Sequence, residues 1–104
     1  MHIQFSTNNN IEGYQRMADY FSGTIEESLK RFDDKITGIY VHLGDENSDK
    51  SGSDDKKCSI ETRLAGLKPV AAVHHADTIE KAIHGATDKM KRVLEHTLDK
   101  MRNH

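Results

Sequence analysis

Cysteine, proline and tryptophan are nearly missing from this chain: of 104 residues one is Cys, one is Pro and none is Trp. The lone Cys58 excludes an intramolecular disulfide, which fits a reducing compartment. No apolar run approaches the ~20 residues that a membrane helix needs. The opening Met1-His2-Ile3-Gln4-Phe5-Ser6 lacks the basic and then apolar pattern of a secretory leader. A soluble, cytoplasmic protein with no membrane contact is the expectation. Charge of one sign is missing too: 15 Lys+Arg stand against 17 Asp+Glu, a net charge of −2. Without a global basic field, any anionic partner must be met by a local patch.

What is present is periodic. Hydrophobic residues make up only 35% of the chain and charged ones 31%, but the apolar positions recur with structural periods, so the chain reads as folded. Its length predicts one domain, 1–104. Ile3 and Phe5 alternate with His2, Gln4 and Ser6, the pattern of a half-buried strand. Thr7 to Asn10 breaks it, with Asn9 or Asn10 as helix cap. From Ile11 to about Arg31 the period becomes helical, with Met17, Phe21, Ile25 and Leu29 on one stripe. Thr24-Ile25-Glu26-Glu27 also has the form of a capping box, but the unbroken stripe favours a single helix.

A turn at Asp33-Asp34-Lys35 leads to a strand from Ile36 to Leu43, with Ile39, Val41 and Leu43 on one face and Tyr40 and His42 on the other. Residues 44–57 hold no apolar side chain and predict a flexible hairpin loop. Cys58, Ile60, Thr62 and Leu64 alternate as a third strand, and Gly66-Leu67 permits a tight turn. Lys68 to His75 is a fourth strand with Pro69 near its start, which suits an edge. Its register stays open, because Val70/Ala72 and Ala71/Val73 are equally apolar, and one of His74 and His75 must lean toward the core. Asp77-Thr78-Ile79-Glu80 starts the last helix with Asp77 as cap, and a stripe from Ile79 to Met101 continues it. The order β-α-β-β-β-α predicts an α+β fold: a four-stranded mixed sheet with the first two strands parallel and both helices packed on one face.

Enzyme motifs are missing. Gly44 and Gly52 lack the Gly-Lys-Ser/Thr that a phosphate loop needs, there is no Gly-x-Ser-x-Gly elbow, and Cys58 falls on a core-facing position. Seven histidines invite a metal, and His84 and Asp88 are spaced i,i+4, but no third ligand stands at fixed spacing and His74-His75 face opposite sides of a strand. The expectation is no catalysis, no metal, no cofactor and no small-molecule substrate. The more informative group is cationic: Lys81, Lys89, Lys91, Arg92, Lys100 and Arg102 on the last helix, with Lys81, Lys89 and Arg92 along one side of the apolar stripe. Such residues can neutralise phosphates. They also suit an ordinary solvated face with i,i+4 pairs such as Asp88–Arg92.

Four segments carry a resemblance to a known family. They are Leu29-Lys30-Arg31-Phe32-Asp33 with the strand Ile39-Tyr40-Val41-His42-Leu43, and Cys58 to Gly66 after the polar hairpin. The others are Asp77 to Ile83, and Asp88-Lys89-Met90-Lys91-Arg92-Val93-Leu94 with Asp99-Lys100-Met101-Arg102. Over essentially its whole length the chain resembles the ribosome hibernation-promoting factor and ribosome-associated inhibitor family, also called protein Y or sigma-factor modulation proteins, in its short form without a dimerisation domain. The resemblance implies a bacterial stress protein. It would bind the small ribosomal subunit (rRNA) in the mRNA–tRNA channel and inhibit translation without catalysis. It carries RNA contact onto Lys89, Arg92, Lys100 and Arg102, with Lys81, Lys91, Lys30 and Arg31 as further candidates. Where the family carries a denser Lys run, this chain reads Glu95-His96-Thr97-Leu98. The alternative is the same fold used as a protein-interaction or regulatory module with weak RNA affinity.

Overall fold

A computed structural model describes residues 2–7, 13–45 and 55–102, the side chains of Asp45, Met101 and Arg102 excepted. The elements are β1 (Ile3–Thr7), α1 (Tyr14–Leu29), a 3-10 turn (Lys30–Phe32), β2 (Ile36–Asp45), β3 (Lys56–Leu64), β4 (Val70–Ala76) and α2 (Ile79–Arg102). The strands form one four-stranded sheet in the order β1-β2-β3-β4. β1 runs parallel to β2, as a strand–helix–strand unit requires, and the other pairs are antiparallel.

The alternation read from the strands is the alternation of burial. Ile39, Val41 and Leu43, then Cys58, Ile60, Thr62 and Leu64, are buried on one face. The register pairs Ile3 with Ile39 and Phe5 with Val41, so the half-buried β1 residues join that face. Phe21, Ile25 and Leu29 of α1 close over it, as do Ile83, Met90 and Leu94 of α2, in one continuous cluster. Cutting Phe21 or Ile83 back to Ala removes about 2–5 kcal/mol of such packing. The opposite sheet face is left to water.

Several boundaries differ from the sequence reading. α1 follows Gly13 (φ 71) with no side-chain cap; the caps expected at Asn9 or Asn10, and the start at Ile11, lie outside the described residues. α1 is a single helix. The Thr24 hydroxyl donates back to the Tyr20 carbonyl at 3.5 Å, which spends the group a capping box would need. The ladder reaches into the polar segment, with Gly44 opposite Lys57 and Asp45 opposite Lys56, because backbone pairing needs no apolar side chain. Gly44, Asp45, Lys56 and Lys57 therefore belong to strands and not to the flexible loop expected over 44–57, and 46–54 of that expectation lie outside the described residues.

β4 starts at Val70, beyond Pro69, which has no N–H to give a ladder. Its register is settled by burial: Ala72 and Ala76 are buried with Val70 and His74 beside them, while Ala71, Val73 and His75 are exposed. His74 is therefore the histidine that leans inward. At the start of α2 the cap is Thr78 and not Asp77: the Lys81 N–H donates to Thr78 Oγ1 at 3.1 Å, and the Ala82 N–H to the Thr78 carbonyl at 3.0 Å. Thr78 is the residue just outside the first helical turn, where a hydroxyl can reach that N–H. Asp77 is one residue too early and meets the Lys81 ammonium at 3.3 Å instead.

Candidate nucleic-acid interface

α2 sorts its charges by side. Gly85 lies against the His74 ring of β4, and the Lys89 ammonium donates to the Val73 carbonyl of β4 at 3.0 Å. These contacts fix which side of the helix faces the sheet edge. Lys81 stands four residues before Gly85, and Arg92, His96 and Lys100 follow Lys89 at steps of three and four, so they continue the same row. His84 instead meets Phe21 of α1 edge to face, ring centroids 5.7 Å apart. Lys91 and Glu95 follow His84 at helical spacing on that α1-facing row. Glu95 is held there by Arg31, N–O 3.1 Å. The carboxylate that interrupts the basic segment in sequence is thus turned away from the basic edge. Asp88 and Asp99 lie on the outward ridge between the two rows.

The candidate residues do not form one patch. Lys89, Arg92 and Lys100 share the β4-side edge, all exposed. Lys81 shares it as well, with its charge met by Asp77. Lys91 is exposed on the other row. Lys30 and Arg31 occupy the 3-10 turn after α1, and the Arg31 guanidinium lies over the Phe32 ring at 4.7 Å while pairing with Glu95. Arg102 ends α2, its side chain outside the described residues. No ion pair to a described residue holds Lys91, Arg92 or Lys100. The helix side therefore carries a cationic strip at its β4 edge and mixed charge toward α1, where Asp19, Glu26 and Glu27 are exposed.

The thiol takes no part in this surface. Cys58 is fully buried, and burial pushes its pKa up to about 12, so it is a protonated core group at any ordinary pH. Among the described residues no three His, Cys, Asp or Glu side chains converge to hold a metal, and no helix is long and apolar enough to cross a membrane.

Tyr40 and His42 alternate off the core face, and no role was expected of them from the sequence. Both stand on the open sheet face, where Arg63 lies over the Tyr40 ring at 4.7 Å and Ser6 Oγ bonds His42 Nδ1 at 2.9 Å. Their signal in the sequence was the alternation itself, which turns ring-bearing residues outward.

Fold and surface together define a small α+β domain whose sheet is covered by helices on one side and whose second helix carries a cationic edge. The chain belongs to the sigma 54 modulation protein / S30EA ribosomal protein family, whose model matches residues 3–102. It is similar in structure to a ribosomal subunit interface protein from Coxiella burnetii, with TM-score 0.68 and 19% identity over 95% of this chain and 99% of that one. It is similar also to the N-terminal domain of protein Y from Thermus thermophilus, with TM-score 0.64 and 20% identity over 93% of this chain and 99% of that one. At these identities the two likenesses speak for the fold. No curated protein sequence matches the chain.

Proposed function

We propose that this chain is a ribosome-associated inhibitor of translation that binds the small ribosomal subunit in the mRNA–tRNA channel under stress. The observation that carries the reading is the family match along residues 3–102. The cationic edge of α2 supports it by offering Lys89, Arg92 and Lys100 together on one side of a helix. The protein acts in the cytoplasm by occupying a site on rRNA, without catalysis and without a cofactor. Lys89, Arg92, Lys100 and Arg102 make the first phosphate contacts; Lys81, Lys91, Lys30 and Arg31 flank them.

The test is co-sedimentation with purified small subunits at low and high salt. Wild type should pellet at ~0.1 M salt, where screening acts over ~10 Å, and be released as salt rises. The double variant Lys89→Glu/Arg92→Glu should stay in the supernatant with its fold intact, since both side chains lie off the buried stripe. A double variant that pellets like wild type removes these residues from the interface. The exposed carboxylates of α1 and the Arg31–Glu95 pair favour a second reading, a protein-interaction module with weak RNA affinity. Wild type that fails to pellet at any salt puts that reading first.

A further inference from the structure

The face of the sheet away from the helices is open, and it carries two rings. Tyr40 and His42 project from the central strand β2, two residues apart and so about 6.6 Å along the strand. Each ring is held. Tyr40 lies over Gly38, where a Cβ would come within 3.0 Å of the phenol oxygen, so the missing side chain lets the ring lie along the sheet. The Arg63 guanidinium stacks on it at 4.7 Å, and the Ser6 hydroxyl fixes His42. The register sets Gln4 and Glu61 beside Tyr40, small Ser6 and Ser59 beside His42, and Val73 beside Ser59. Val73 is 40% exposed. Glu61 is the one carboxylate among the outward-facing described residues of the strands, and Arg63 pairs with it at 3.4 Å. Lys57 stands on the same face, opposite Gly44.

Fixed rings, a guanidinium plane and small neighbours beside His42 are what unpaired bases require. A duplex, with its bases closed, would present these rings only with phosphates. We propose that this open face binds a segment of single-stranded RNA, with one base on the Tyr40–Arg63 stack, the next on His42, and Lys57 toward the backbone. The face is continuous with the basic edge of α2, because the Lys89 ammonium sits on the carbonyl of Val73, whose side chain belongs to the open face. One strand of RNA can follow both. The inference rests on the ribosome reading for its biological partner, but not for its test.

The probe is fluorescein-labelled decauridylate, titrated by anisotropy at ~0.1 M salt, with the Tyr40 and His42 ring protons followed by NMR. Tyr40→Ala and His42→Ala should each weaken binding about 5-fold or more, and both rings should shift on titration. Tyr40→Phe keeps the stack and should bind like wild type, which separates stacking from damage to the sheet. A 12-base-pair RNA duplex should bind wild type and both Ala variants alike. Unchanged affinity in both Ala variants, or rings that do not shift, overturns the inference. So does a concentration-dependent dimer that Tyr40→Ala dissolves, which would give the face to a second copy. Should the sheet variants bind decauridylate like wild type while Lys89→Glu/Arg92→Glu loses the small subunit, the inference falls and the ribosome reading stands. Should wild type bind decauridylate through the rings yet never pellet with subunits, the reverse holds.

Discussion

Gly85 of α2 lies directly on the imidazole of His74 in β4, so closely that a methyl group at position 85 would overlap the ring. Two effects then oppose each other in Gly85→Ala. The helix gains about 1 kcal/mol from the better helix former. Overpacking against a ring whose central atoms are the ones struck costs about 1–3 kcal/mol. The second should win, and urea unfolding should show a net loss. In a His74→Ala background the clash is gone, so the same substitution should stabilise by about 1 kcal/mol. That sign reversal in a double-mutant cycle is the expected outcome; two independent, additive effects would show that the contact carries no strain.

Among the described residues two buried hydroxyls, those of Tyr14 and Thr62, find no hydrogen-bond partner, and Thr62 is the one at the centre of the core. It is fully buried on the helix-facing side of β3, and its hydroxyl has no hydrogen-bond partner. Thr87, also buried, donates to the Ile83 carbonyl at 2.7 Å and is satisfied. Thr62→Val keeps the branched shape and removes the stranded hydroxyl, so it should stabilise by about 1 kcal/mol. Thr87→Val should not, since there a hydrogen bond is lost. Equal unfolding midpoints for Thr62→Val and wild type would mean that the hydroxyl finds a partner in solution.

The contrast between what the chain announced and what it concealed follows the range of the interaction. The face of β2 was legible because Ile39, Val41 and Leu43 alternate with polar or aromatic neighbours. So was the inward thiol of Cys58, which shares its alternation with Ile60 and Leu64. β4 was ambiguous for the same reason inverted: Val70 to Val73 are all apolar, and the choice of face is made by Gly85 meeting His74, a contact between elements. The cap at Thr78 lay one residue from the expected Asp77, because both residue types can cap and only the helix's first hydrogen bonds distinguish them. The basic residues of α2 were legible as a group, but their partners were not. Lys89 bonds a carbonyl in β4, and Arg31 reaches Glu95 from the end of another helix. Neither pairing has a sequence period.

Cys58 predicts a pH effect on stability. Burial raises its thiol from 9.0 to about 12, so the folded chain keeps a proton that the unfolded chain releases above about pH 9. The stabilisation is complete below that value and is lost as pH climbs toward 12, at about 1.4 kcal/mol per pH unit for one thiol. Lysines and tyrosines titrate in the same range, so the comparison is with Cys58→Ala. This variant should be less stable at pH 7 because of the cavity. Its stability should fall less steeply between pH 9 and 11. Parallel curves would place the thiol in contact with water. The same burial predicts that a thiol reagent modifies Cys58 only as fast as the protein unfolds.

The Arg31–Glu95 pair offers the sharpest test of how charge is arranged for binding. Both side chains are partly in water, 62% and 38% exposed, so the pair contributes at most about 1 kcal/mol to stability. Its larger consequence concerns the surface: Glu95 neutralises one of the cations that the family resemblance assigns to RNA. Glu95→Gln should leave the unfolding midpoint nearly unchanged and release Arg31 toward a phosphate. Binding to small subunits should then tighten at ~0.1 M salt, where exposed charges still act over ~10 Å. The slope of log affinity against log salt should steepen by about 0.7–0.9, the value for one added phosphate contact. Adding Arg31→Ala to Glu95→Gln should return the slope to that of wild type, which separates a freed arginine from a general fall in negative charge. If Glu95→Gln leaves both affinity and slope as they were, Arg31 lies off the interface, and the contact surface is confined to the β4-side edge of α2.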